Sequence, residues 1–95
     1  MKRILFLGAA HFQIPPIAYA REAGYYVITC DGRPDSPGNR LAHEAHLVST
    51  VDQDGVLALA RTRAIDGIVS FGSDVAALTA AVVAGAANNQ LAHDG

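Results

Sequence analysis

The chain has 95 residues, 51% hydrophobic and 17% charged, with a formal net charge of −2. That length fits one domain. The lack of a basic cluster argues against a nucleic-acid partner, and no apolar run approaches the ~20 residues of a membrane span. Cys30 is the only cysteine, so no intrachain disulfide can form and a reducing, cytoplasmic compartment fits best.

Residues Arg3 to Gly8 (RILFLG) form a short apolar run bounded by charge and glycine, the pattern of a strand buried on both faces. With Lys2-Arg3 before it, this run has the outline of an export leader. His11 and Pro15-Pro16 interrupt it, and a first strand and turn explain it better. A loop from Ala9 to Phe12 leads into a helix to about Ala23, with Ile14, Ile17, Ala18 and Ala20 on its apolar stripe and Gly24 as its stop. The second strand is Tyr25 to Cys30, rich in aromatic and β-branched residues. Asp31 to Asn39 (DGRPDSPGN) is a loop.

A helical turn is expected near Arg40 to Glu44 and a third strand at His46 to Ser49. Thr50 is the expected N-cap, with Gln53 completing a capping box, of a helix from Val51 to Arg63. The fourth strand is Gly67 to Phe71, and Ser73 caps a fourth helix beginning at Asp74.

Strands alternating with helices of this length imply right-handed crossovers. The expected fold is α/β: a Rossmann-like three-layer domain over residues 1–95 with a four-stranded parallel sheet in the order 3-2-1-4. The fourth helix is unusual, because Val75 to Ala87 has Thr79 as its one polar side chain. A helix apolar all round is normally covered all round. Either alanine serves here only as a good helix former, or a second subunit, a homodimer partner or further domains of a longer chain pack on helix 74–87. The ending His93-Asp94-Gly95, where a further strand is due, points to the longer chain.

Ligands of open parallel sheets bind at the carboxyl ends of the strands, where the strand order switches. The candidate substrate-binding residues are therefore Gly8, Ala9, Ala10, His11, Phe12, Gln13, Asp31, Gly72, Ser73 and Asp74. A dinucleotide reading of the first loop fails in detail. The fingerprint asks for three glycines, and Ala10 and Gln13 hold the second and third places after Gly8. Pro15 and Pro16 also remove N–H donors from the helix start that would hold a phosphate. Asp31 either bonds a ligand hydroxyl or caps its own turn. Gln13 either faces the ligand or solvent, and Asp74 is readily explained as a first-turn acid.

In His43-Glu44-Ala45-His46 the histidines are three apart, where zinc helices place them four apart. A structural role is favoured for them, and a buried inert thiol for Cys30. Ser70 and Ser73 lack a nucleophile elbow, no phosphate loop is present, and Lys2 is the only lysine. No catalytic residue and no metal site are expected within the chain.

Three segments in this order resemble the N-terminal, pre-ATP-grasp domain of ATP-grasp ligases of the carboxylate-amine type, such as the large subunit of carbamoyl phosphate synthase. RILFLGAAHFQIPPIAYAREAGYYVITCD is similar to that domain's opening strand, loop, helix and second strand. RPDSPGNRLAHEAHLVSTVDQDGVLALA resembles the loop, the turn that usually reads Ala-Asp-Glu, and the strand, Thr and helix after it. AIDGIVSFGSDVAALTAAVVA is similar to the fourth strand and its helix. His43 departs from the pattern, standing where an aspartate is common, and residues 86–91 lack the usual Gly-Leu-Pro-like helix end.

The resemblance implies a parent ligase that activates a carboxylate as an acyl-phosphate for attack by an amine or other nucleophile. ATP and Mg2+ would be held by later domains. This domain would contribute the first loop and the strand end around Gly72 to Asp74 to a small-molecule substrate site, without being catalytic alone. The alternatives are a stand-alone nucleotide or nucleotide-sugar binding module and a non-catalytic interaction subunit.

Overall fold

The first strand, β1 (Arg3–Leu7), lies at the centre of a four-stranded, all-parallel sheet in the order β3-β2-β1-β4. The computed structural model describes residues 2–70 and 79–84. The other strands are β2 (Tyr26–Asp31), β3 (Glu44–Leu47) and β4 (Gly67–Ser70). β1 pairs on one side with β2, Leu5 opposite Ile28, and on the other with β4, Leu5 opposite Ile68. The parallel α/β architecture and the strand order are those expected.

Alternation along the central strands builds two cores. Leu5 and Leu7 of β1 with Ile28 and Cys30 of β2 face helix α2 (Gln53–Thr62) and meet Val56, Leu59 and Ala60. Phe6 and Val27 face the opposite way, against Ile17 and Ala20 of helix α1 (Ile14–Glu22). Each fully buried Leu, Ile or Val contributes about 1.5–3 kcal/mol relative to an exposed one. The helical stretch 79–84 adds Val83 to the α2-side core and exposes Ala81 and Val82.

Gly24 ends α1 at φ +93°, and the Tyr25 N–H returns to the Ala20 carbonyl at 3.1 Å. Three expected boundaries are corrected. The turn before β3 is a 3-10 turn at Pro37–Leu41 rather than at residues 40–44, because Pro37 starts it with a preset φ. β3 begins two residues before His46. Its inward residues are the polar Glu44 and His46, while Ala45 and Leu47 face out, so hydropathy misleads there.

The cap of α2 is Asp52 rather than Thr50. Its carboxylate accepts from the Gly55 N–H at 3.0 Å, and Gln53 is the first helical residue. Replacing Asp52 with Ala is expected to lower stability in urea titrations by about 1 kcal/mol, and Thr50→Ala by less than about 0.5 kcal/mol.

Candidate functional site

The carboxyl ends of β1 and β2 open into a cleft of about 520 Å³. Its walls include Gly8, Ala10, His11, Phe12 and Gln13 from the loop and 3-10 turn after β1, Asp31 at the end of β2, and Arg33, Asp35, Ser36 and Pro37 from the loop beyond, with Thr50 closing one side.

The first loop is held by a dense set of bonds. Gly8 takes φ +101°, and its N–H donates to the Cys30 carbonyl at 2.8 Å. Gln13 is buried, and its side-chain amide reaches back across the loop. Nε2 donates to the Leu7 carbonyl at 2.9 Å and Oε1 accepts from the Ala10 N–H at 2.8 Å. Only glycine leaves room for this, because a Cβ at residue 8 would sit 2.9 Å from Gln13 Cδ. Gln13 is thus a brace inside the loop as well as part of the cleft wall.

Asp31 links the two loops. Its Oδ2 accepts from the Ala9 N–H and its Oδ1 from the Arg33 N–H, both at 2.9 Å. Ala9 is fully buried, and its carbonyl accepts from the Gly38 N–H at 2.6 Å. Asp31 therefore organises the turn, and its carboxylate remains part of the cleft lining. On the buried side of β2, Thr29 Oγ1 and Asn39 Oδ1 lie 2.8 Å apart, tying the 3-10 turn to the sheet.

His11 and Phe12 project from the rim, with Phe12 51% exposed. Arg33 and Asp35 are exposed side chains of opposite charge on the same cleft. Sequence reading missed Arg33, Asp35, Ser36, Pro37 and Thr50. The signal was the length and turn chemistry of DGRPDSPGN, which folds back over the first loop instead of trailing away. Gly72, Ser73 and Asp74 lie outside the described residues.

Cys30 is buried, and burial, followed by the neighbouring Asp31 charge, pushes its thiol up to about 12. It is an unreactive core residue. Neither histidine is part of the cleft wall: His43 stacks on Tyr26 of β2, and His46 Nε2 lies 3.1 Å from Glu44. Among the described residues, no three His, Cys, Asp or Glu side chains converge as a metal site requires. Pro15 and Pro16 at the start of α1 remove two N–H donors from the place where a polyphosphate would bind. No helix among the described residues is long and apolar enough to cross a membrane.

No family model matches the sequence. A formate-dependent phosphoribosylglycinamide formyltransferase from Burkholderia mallei is 35% identical over 57 residues, which is 60% of this chain and 14% of that protein. The crystal structure of phosphoribosylglycinamide synthetase from Anaerococcus prevotii superposes with a TM-score of 0.82 and 26% identity, over 92% of this chain and 22% of that one. An N5-carboxyaminoimidazole synthetase from Staphylococcus aureus, solved with ADP, gives a TM-score of 0.74 over 87% of this chain and 22% of that one; its 20% identity speaks to fold alone. The chain thus spans less than a quarter of the length of these relatives. They are ATP-grasp ligases, and this chain matches their N-terminal region.

Proposed function

We propose that this chain is the substrate-side N-terminal domain of an ATP-grasp ligase, and that its cleft receives the amine substrate which attacks an activated carboxylate. The supporting observation is the sequence match to a formyltransferase, whose 57 aligned residues make up 60% of this chain. In this reading the parent enzyme activates the carboxylate as an acyl-phosphate, with ATP and Mg2+ bound by later domains, and works in the cytoplasm. The braced first loop supplies a rigid floor, and Arg33 and Asp35 offer one charge of each sign to a polar substrate. Rigid positioning is what a binding domain contributes to a bimolecular transfer.

The relatives are named for phosphoribosylglycinamide and carboxyaminoimidazole ribonucleotide chemistry, so the proposed substrate class is a ribonucleotide bearing a free amine. Titration of the isotope-labelled chain with phosphoribosylglycinamide is expected to shift the amide signals of His11, Phe12, Arg33 and Thr50, and Mg-ATP is expected to leave them in place. Shifts with Mg-ATP at these positions would favour the nucleotide-binding module instead. Silence with both ligands would overturn the proposal.

A further inference from the structure

At the amino-terminal end of the sheet, away from the cleft, lies a cluster of titratable groups that the proposed function does not use. His43 immediately precedes β3. Its backbone N–H donates to the Val27 carbonyl at 2.8 Å, and its ring Nδ1 accepts the Val27 N–H at 3.0 Å. Both backbone groups of Val27 are therefore satisfied by one residue, with a ring nitrogen in the place of a ladder carbonyl. An imidazole accepts at Nδ1 only when neutral, since both nitrogens of the cation are donors. The ring stacks on Tyr26 with centroids 4.8 Å apart and is itself exposed, open to protons from solvent.

The surroundings are charged. Arg3 of β1 lies over the Tyr26 ring at 5.5 Å. Glu44 accepts from Tyr26 Oη at 2.7 Å and lies 3.1 Å from His46 Nε2 and 3.2 Å from Arg63 Nε, beyond the end of α2. From the other layer, Arg21 of α1 donates to the Leu41 carbonyl at 2.6 Å. A proton on His43 Nδ1 would remove the acceptor that the Val27 N–H uses.

We propose that His43 is an acid-sensitive latch: its neutral ring pins β3 to β2, and protonation releases it. The segment it pins carries the outer wall of the cleft on both sides, with Asp35, Ser36 and Pro37 before the latch and Thr50 after it. The latch does not depend on the ligase reading. The Val27 N–H uses the Nδ1 lone pair, so this bond belongs to the neutral ring alone. Glu44 is a separate matter. The Tyr26 hydrogen bond, against burial and helped by His46 and Arg63, holds its carboxyl below the ordinary 4.5, so its contribution is lost only on stronger acidification.

The test is amide hydrogen exchange at Val27, corrected for the intrinsic rate, between about pH 8 and about pH 5.5. Protection is expected to fall about tenfold in the wild-type chain. His43→Asn keeps an acceptor that does not titrate, and should change by less than about twofold. His46→Gln should still show the fall. Unchanged protection in the wild type, or an equal fall in His43→Asn, would overturn the latch. Should His43→Asn not fold, ring 15N shifts of the wild type decide: the Val27 amide must move at the midpoint of His43, and movement at that of His46 instead refutes the proposal.

Discussion

Gly8→Ala is expected to destabilise the domain by about 3–4 kcal/mol, enough to threaten a fold of this size. Two effects add. An alanine there must adopt φ +101°, which costs about 1–2 kcal/mol for an L-residue. It also lands on the Gln13 amide, and the brace must swing away from the Leu7 carbonyl and the Ala10 N–H, each bond worth about 1 kcal/mol. Gln13→Ala removes the brace without backbone strain and should lose about 2 kcal/mol. Urea unfolding of both variants checks the ordering. Equal losses would mean that the conformation of residue 8 is not a constraint.

Asp31→Ala is expected to cost about 2–3 kcal/mol. The Ala9 N–H lies in a fully buried residue, and stranding it without an acceptor incurs its desolvation penalty. Asp31→Asn should lose about half as much, because its one carbonyl oxygen can serve Ala9 but its NH2 cannot accept from Arg33. Cleft function should suffer in the same order, since the carboxylate joins the two loops that form the walls. Chemical denaturation measures the first effect. Loss of the proposed ribonucleotide binding by a still-folded Asp31→Asn chain would show the second.

The fold was legible because the strongest signals were the simplest. Leu5 to Leu7 and Val27 to Cys30 are buried on both faces and need no partner to be read as strands, and Gly24 stops α1 where its αL conformation is needed. β3 was misplaced because its inward residues, Glu44 and His46, are polar. They turn inward only for Tyr26 and Arg63, contacts made by distant parts of the chain. The cap at Asp52 was missed because Thr50 and Gln53 have the spacing of a capping box, and spacing alone does not show which oxygen reaches the helix.

The candidate site was legible by topology rather than by motif. Strand ends in a parallel sheet point to one edge, and that placed Gly8 to Gln13 and Asp31 together. The roles of Gln13 and Asp31 inside the loops were not legible, because a brace and a ligand-facing amide look identical in sequence. Arg33 and Asp35 were overlooked as ordinary loop charges, and only the return of Gly38 to within hydrogen-bond reach of Ala9 brings them over the cleft.

The placement of β1 between β2 and β4 governs the order in which this protein can assemble on the ribosome. Its first partner arrives after one short crossover, but its second, Gly67–Ser70, comes more than sixty residues after β1 begins. Closing a loop of that length carries an entropic penalty of about 4 kcal/mol before any contact is gained. Until then β1 keeps one bare edge, with backbone groups of Ile4 to Leu7 unpaired on that flank, a state open to pairing with a foreign strand. Translation pauses or chaperone binding that protect the nascent chain until residue 70 has emerged should therefore raise the yield of native protein.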